Sequence, residues 1–221
     1  ALLGEPIADI DIATSARPED TIRLAHAAGL RTVPTGFDHG TVTIIAGGRG
    51  FEATTFRRDV ETDGRHAVVA YSDSLDEDAR RRDFTMNALY ATADGRVLDP
   101  VGGLSDLAAR KLRFVGDARA RILEDYLRIL RFFRFLAWYG READMQALAA
   151  CRELRAGLAG ISKERIGHEL RMLLAAPDPS QAVAFMAEAG VLPLVLPGAD
   201  ASDLPELIEA ERDFGTGALP R

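Results

Sequence analysis

Cysteine, lysine and long apolar runs are scarce in this sequence. The single cysteine, Cys151, cannot form an internal disulfide or a cysteine-based zinc cluster, so a reducing compartment, the cytoplasm, is expected. No apolar run approaches the roughly 20 residues of a membrane-spanning helix, so no membrane partner is expected. Lysine occurs only at positions 111 and 163, against 25 arginines, which suits a GC-rich genome and says little about function.

The net charge of −7 disfavours an RNA partner until its distribution is considered. Residues 1–110 carry 12 basic and 18 acidic groups, residues 111–175 carry 13 and 8, and residues 176–221 carry 2 and 8. A basic middle segment beside an acidic region fits a polyanion held near bound metal ions. The same arginines could equally be solvated on helices, and charge alone does not decide between these interpretations.

The hydrophobic periodicity changes near residue 115. Before it, residues 17–29 predict a helix and the polar residues 57–78 predict a long mobile loop that includes Asp63-Gly64. Strands are predicted at residues 7–12, 41–45, 50–56 and 95–100. Helices are predicted at residues 120–139, 144–156, 162–176 and 179–190. We therefore predict an α+β fold with a mixed-sheet head over residues 1–115, a helical neck over 116–176 and the start of a helical body over 177–221.

Two carboxylates close to the start of the chain suggest a metal site. Asp9 and Asp11 lie two apart on the first predicted strand and so project from one face, with Ile10 and Ile12 pointing into the core. Adjacent carboxylates repel unless a cation lies between them, and hard oxygen ligands favour Mg²⁺ or Mn²⁺. Such a pair can hold the two metal ions of a phosphoryl transfer, with Glu52 as a candidate third acid. The alternative is that Asp9 and Asp11 lie on a polar strand face at the surface. For the acidic residues 76–78 we likewise expect a solvated turn.

A polar stripe crosses the otherwise apolar helix predicted at residues 120–139. Its members lie at helical spacing: Glu124, Asp125, Arg128, Arg131 and Arg134. One interpretation is an internal ion pair from Glu124 to Arg128. In the other interpretation, Asp125 and Arg128, at i,i+3, recognise a nucleotide base. The amino groups of cytosine and adenine donate hydrogen bonds to Asp125, and their ring acceptors accept a hydrogen bond from Arg128. Uracil and guanine would leave buried groups unpaired.

These segments occur together, and in the same order, in one family. The chain resembles the class II tRNA nucleotidyltransferases, the bacterial CCA-adding enzymes and their poly(A) polymerase relatives, from residue 1 to about residue 198. The matching motifs are Asp9-Ile10-Asp11 through Thr14, Arg81-Arg82-Asp83 through Ala88, Asp99-Pro100 through Gly103 with Asp106-Leu107, Glu124-Asp125 through Arg128 with Arg131, and Glu164-Arg165-Ile166 with Glu169-Leu170.

The resemblance implies a polymerase-β-like nucleotidyltransferase head and a two-metal reaction that adds C and A from CTP and ATP to the tRNA 3′ end. It implies that Asp9, Asp11 and Glu52 are catalytic, with Asp9 and Asp11 as ligands of two Mg²⁺ ions that Mn²⁺ can replace. Arg82 would contact the triphosphate, Asp83 the ribose 2′-hydroxyl, and Asn87 would support that pocket. The remaining assignments are nucleotide binding by Asp125, Arg128 and Arg131, and structural support by Glu124, Glu164 and Arg165.

Some features of the family are missing or differ. The Gly-Gly-x-Val-Arg-Asp motif that precedes the metal motif and the tRNA-gripping tail helices are not found, so we expect a piece of a longer enzyme. Phe37-Asp38 stands where the poly(A) polymerases have two basic residues, and the loop at residues 63–66 favours full CCA addition. The alternatives are a poly(A) polymerase, an A-adding or CC-adding relative, a small-molecule nucleotidyltransferase and a non-catalytic RNA-binding fragment.

Overall fold

The computed structural model describes residues 2–4, 9–62 and 67–215, which form two compact units. The first unit comprises the described residues up to Arg82, and the second comprises residues 83–215. The predicted mobile loop at residues 63–66 lies outside the described residues.

The first unit is built on a four-stranded mixed sheet. Its elements in chain order are β1 (Ile12–Thr14), α1 (Pro18–Ala27), β2 (Arg31–Gly36), β3 (Thr41–Ala46), β4 (Arg49–Thr55), β5 (Arg57–Thr62), β6 (Ala67–Tyr71) and α2 (Leu75–Arg80). The sheet order is β1-β4-β3-β2, with β1 parallel to β4 and the other pairs antiparallel. Helix α1 begins with Pro18 in its first turn and buries Thr21 and Ala25. The predicted mixed sheet is confirmed.

Strand β1 is shorter than the alternation of residues 7–12 predicts. It begins at Ile12, residues 9–11 have no regular secondary structure, and residues 7 and 8 lie outside the described residues. The prediction that Ile10 and Ile12 point into the core is wrong, because their exposed fractions are 47% and 41%. The physical reason is that β1 is a three-residue strand at the edge of the described sheet, where β4 is its only strand partner among residues 9–62 and 67–215.

The polar segment after β4 is also more ordered than predicted. Instead of a loop over residues 57–78, β5 and β6 form an antiparallel hairpin and α2 follows. The composition did contain a strand signal, because β6 is the apolar run Ala67–Tyr71, but the polar residues on both sides of it led to the prediction of a loop. The expected solvated turn at residues 76–78 is likewise wrong, because Asp78 is 2% exposed, accepts the Arg57 amide at 3.1 Å and pairs with Arg81 at 2.9 Å.

The second unit is largely helical. Its elements in chain order are β7 (Tyr90–Ala91), β8 (Val97–Leu98), α3 (Gly103–Ala109), β9 (Lys111–Leu112), α4 (Ala118–Glu124), α5 (Arg128–Tyr139), β10 (Glu142–Ala143), α6 (Met145–Leu154), α7 (Lys163–Leu174), α8 (Ser180–Glu188), α9 (Leu192–Val195) and α10 (Leu204–Phe214). Helices α5 to α8 each lie within one of the four predicted helical segments, and β8 lies within the strand predicted at residues 95–100.

Aromatic packing joins residues 84–115 to the helices that follow. Phe84 and Phe114 lie 4.9 Å apart between ring centroids, Phe114 stacks on Phe132 at 5.6 Å, and all three are buried. The boundary between the compact units therefore falls at residues 82/83, ahead of the predicted domain boundary near residue 115. The division into head, neck and body at residues 1–115, 116–176 and 177–221 stays a prediction.

The prediction of one continuous helix over residues 120–139 is wrong, because the helix is interrupted between α4 and α5. Asp125 ends α4 in an extended conformation, with φ −155° and ψ 109°. Its carboxylate accepts the Leu127 amide at 3.0 Å, which is the Asx turn that lets aspartate compete with helical hydrogen bonding. Asp125 and Arg128 therefore do not lie at i,i+3 on one helix.

Gly103 lies where the chain has no room for a side chain. Its amide donates to Asp99 Oδ1 at 2.6 Å, and a Cβ placed on it would lie 2.1 Å from the carbonyl oxygen of Thr85. We expect Gly103→Ala to lower the free energy of unfolding by about 1–3 kcal/mol, because the backbone must move apart. Urea unfolding measures this change. Gly160→Ala is the control, since a Cβ at Gly160 meets nothing within 4 Å; equal losses in both variants would contradict the steric explanation.

Candidate nucleotide site

The three acids predicted to be catalytic lie in the first unit, and all three are exposed. Ile12 pairs with Ala53 in the parallel register of β1 and β4, so Asp11 and Glu52 each precede a paired position on neighbouring strands. Asp9 Oδ1 accepts the amide of Ile10 at 2.8 Å. Asp11 and Glu52 thus lie beside neighbouring strands of one sheet, and their catalytic roles stay a prediction.

The donor chemistry of these acids suits a hard divalent cation. Asp9, Asp11 and Glu52 form no salt bridge with any residue that the structure describes, so their carboxylate oxygens remain available as ligands. Within residues 9–62 and 67–215, however, the structure contains no cluster of three or more metal-ligating side chains. Metal binding by Asp9, Asp11 and Glu52 therefore stays a prediction.

Arg82 is also in the first unit, at the end of α2. Its side chain is 37% exposed and pairs with the buried carboxylate of Asp78 at 3.3 Å. Asp78 also binds Arg81. A buried acid thus anchors both arginines of the motif.

Asp83 begins the described part of the second unit, and its carboxylate accepts hydrogen bonds from two arginines. Its Oδ1 accepts Arg128 Nε at 2.7 Å and its Oδ2 accepts Arg131 Nε at 2.6 Å. Burial alone would raise the pKa of Asp83, but the charges and hydrogen bonds of Arg131 and Arg128 lower it below its usual range. Asp83 is therefore held as a carboxylate, and only 13% of its side chain is exposed.

Arg128 is fixed by two further contacts. Its Nη1 pairs with Glu124 and donates to the carbonyl oxygen of Arg121 at 2.7 Å. The predicted ion pair between Glu124 and Arg128 is thus confirmed, although these residues lie on two helices. Burial alone would lower the pKa of Arg128, and the charge of Asp83 together with Glu124 raises it.

Asp125 binds an arginine of α7. Its Oδ2 accepts Arg165 Nη2, in the first turn of α7, at 2.7 Å. Arg165 thereby supports Asp125, while Glu164 beside it is exposed. Asn87 accepts the amide of Phe84 at 3.1 Å and so shapes the turn after Asp83. The second unit therefore brings Asp83, Arg128 and Arg131 together, and it links Asp125 to Arg165.

Several members of this charge network were not predicted. Arg121 is 7% exposed and pairs with Glu124 at 2.6 Å, and the spacing of three residues on α4 could have revealed it. Glu169 and Arg134 pair at 3.0 Å across α5 and α7, where sequence spacing carries no signal. Helices α5 and α7 have 12 residues each, and no helix among the described residues could span a membrane.

Two protein-family models and several known proteins match this chain. Residues 1–113 match the model of the poly A polymerase head domain, and residues 144–203 match a probable RNA and SrmB-binding site of polymerase A. The chain is 44% identical to the mitochondrial CCA tRNA nucleotidyltransferase 1 of Danio rerio over 86% of its length, and 41% identical to the CCA-adding enzyme of Geobacillus sp. (strain WCH70) over 89%.

A solved structure supports the same relationship. The Bacillus stearothermophilus CCA-adding enzyme in complex with CTP is 38% identical, with a TM-score of 0.81 over 95% of this chain and 50% of that one. The chain spans about half the length of the curated relatives it matches, 45% and 48% for the two named above. The chain belongs to the poly(A) polymerase head-domain family, together with the CCA-adding tRNA nucleotidyltransferases.

Proposed function

We propose that this chain is the nucleotide-selecting and catalytic part of a CCA-adding enzyme, which adds C and A from CTP and ATP to the tRNA 3′ end without a nucleic-acid template. The observation that carries the proposal is the network around Asp83, Arg128 and Arg131, in a chain 38% identical to a CCA-adding enzyme solved with CTP. We further propose a cytoplasmic location, which the single, buried cysteine Cys151 supports.

Base selection is assigned to Asp125 and Arg128. Arg128 uses Nε and Nη1 for its bonds to Asp83, Glu124 and Arg121, and Nη2 makes no hydrogen bond within the described residues. That free donor suits the ring acceptors of cytosine and adenine. Each oxygen of Asp125 accepts one hydrogen bond, from Leu127 or from Arg165, which leaves a second lone pair for a base amino group.

Metal binding is assigned to Asp9 and Asp11, with Glu52 as the third acid. Two Mg²⁺ ions, which Mn²⁺ can replace, would supply activation of the attacking 3′-hydroxyl and charge neutralisation of the triphosphate. The three exposed carboxylates without a salt bridge among the described residues support this assignment. Arg82, anchored by Asp78, would bind the triphosphate as a forked donor.

Sugar selection is assigned to Asp83. We expect Asp83→Asn to narrow the preference for CTP over dCTP by about fivefold or more, because the 2′-hydroxyl loses a charged acceptor. The substitution also lowers stability near neutral pH. Since the folded pKa of Asp83 is lowered, its contribution is present above the unfolded pKa and is lost as the pH falls through the folded value.

Asp106→Asn is the matched control for this prediction. Asp106 is 7% exposed and pairs with Arg113 at 2.8 Å, but it has no assigned role at the sugar. Incorporation kinetics with CTP and dCTP, measured beside pH-dependent unfolding, check both expectations. An unchanged sugar preference in Asp83→Asn would remove the ribose role.

Incorporation of labelled nucleotides into tRNA lacking its 3′ end tests the proposed function. A CCA-adding enzyme extends this RNA with two C residues and one A and then stops. Addition of A residues alone, repeatedly, would indicate the poly(A) polymerase alternative, and addition ending after CC or requiring a CC end would indicate a partial enzyme. Phe37 and Asp38, in a turn between β2 and β3, favour CCA addition because the poly(A) polymerases have basic residues there. No incorporation under any condition would favour the RNA-binding alternative.

A further inference from the structure

Glu169 is a buried acid with no role in the site described so far. It lies in α7 and is 4% exposed. Its Oε2 lies 3.0 Å from Nε of Arg134, and its Oε1 lies 3.9 Å from Nη1 of Arg131. Both arginines are on α5, so one carboxylate of α7 faces two cations of the neighbouring helix.

Stability alone does not explain this arrangement. Within the described residues, Arg134 Nε and Glu169 Oε2 are buried and form no hydrogen bond, so their contact is purely ionic. Burial lowers the pKa of Arg134, against the raising effect of Glu169. Buried ion pairs with incomplete hydrogen bonding are often no more stable than apolar residues of the same volume. Glu169 is therefore better explained by what it does to the arginines.

Arg131 connects Glu169 to the nucleotide site. Its Nε and Nη2 bind Asp83 Oδ2, each at 2.6 Å, while its Nη1 faces Glu169. Because the guanidinium is a rigid planar fork, holding one edge fixes the direction of the other. The charge of Glu169 therefore acts on the same guanidinium that binds Asp83.

We propose that Glu169 is a positioning residue for ribose recognition, acting through Arg131 on Asp83. This inference rests on the proposed function, in which Asp83 binds the 2′-hydroxyl. Glu169 does not touch the nucleotide. Its charge keeps Arg131 between two acids, so that Asp83 receives one arginine on each oxygen and keeps an acceptor free for the sugar.

The test compares Glu169→Gln with Glu211→Gln in the complete protein. Glu211 is 6% exposed in α10 and serves as a control for loss of a buried charge. We expect Glu169→Gln to reduce the preference for CTP over dCTP by about five- to tenfold, roughly the effect of one misdirected hydrogen bond. The loss should appear mainly as a higher KM for CTP. Glu211→Gln should lower the melting temperature and leave the sugar preference unchanged.

The outcomes separate this inference from the proposed function. If Glu169→Gln keeps the wild-type sugar preference, or if Glu211→Gln shifts it equally, Glu169 has only a structural role. If the wild-type protein incorporates no CTP, the proposed function fails first. Should Glu169→Gln not fold, Glu169→Asp replaces it, because it keeps the charge but draws it away from Arg131, and it is judged by the same sugar ratio.

Discussion

Asp9→Ala and Asp11→Ala, each made in the complete protein, are expected to slow addition of both C and A by roughly a thousandfold or more, because loss of one metal ligand removes several kcal/mol of transition-state stabilisation. Both side chains are exposed and carry no salt bridge among the described residues, so the melting temperature should hardly change. Single-turnover incorporation in Mg²⁺ measures the rates. The structural roles of these acids are too slight to produce such a loss through unfolding.

Glu19→Ala provides the control for the metal prediction. Glu19 is an exposed acid in the first turn of α1, in the same unit, and it has no assigned role. Its substitution should leave both rates within about twofold of wild type, as for most surface substitutions. Near-normal turnover in either Asp9→Ala or Asp11→Ala would show that the metal lies elsewhere.

Asp125→Ala is expected to relax base selection by roughly 5- to 150-fold, since each lost or mismatched buried hydrogen bond is worth about 1–3 kcal/mol. Correct incorporation of C and A should fall while UTP and GTP are rejected less strongly. The measurement is the incorporation ratio of all four nucleotides, taken together with the melting temperature. Asp125 holds only the Leu127 amide and the half-exposed Arg165 among the described residues, so the fold should survive.

Arg165→Ala distinguishes base selection by Asp125 from a purely structural role of the ion pair between Asp125 and Arg165. It breaks the 2.7 Å contact with Asp125 but leaves the carboxylate in place. If Asp125 reads the base, Arg165→Ala should change the ratio much less than Asp125→Ala does. If the ion pair is all that matters, the two variants should behave alike, and every nucleotide should be slowed to the same extent.

The sequence predicted part of the strands and helices but not how the acids and arginines would pair. Periodicity, which reports the buried face of each element, predicted β3, β4 and the helical second half, whereas β2 was not predicted. The break at Asp125 was missed because apolar residues continue on both sides of it, while a single side-chain bond to Leu127 stops the helix. The hairpin of β5 and β6 was missed because the apolar run Ala67–Tyr71 was grouped with the polar residues around it.

The contacts within the candidate site were also only partly predictable from the sequence. Motif order identified the residues, and ion-pair spacing predicted the contact of Glu124 with Arg128. Asp83 lies 45 residues before Arg128, and Glu169 lies far beyond Arg131, so no local pattern could show that they meet. Long-range charge pairing depends on how the helices pack, so it could not be predicted from a single sequence.

The aromatic packing of Phe84, Phe114 and Phe132 has a consequence for recombining this protein with its relatives. A chimera joined near residue 115 would take Phe84 and Phe114 from one parent and Phe132 from the other, and the stacked rings would have to fit across unrelated side chains. A junction between Arg82 and Asp83 keeps all three rings, and the carboxylate with both of its arginines, within a single parental segment. Inheritance of nucleotide preference should therefore follow the segment that begins at Asp83.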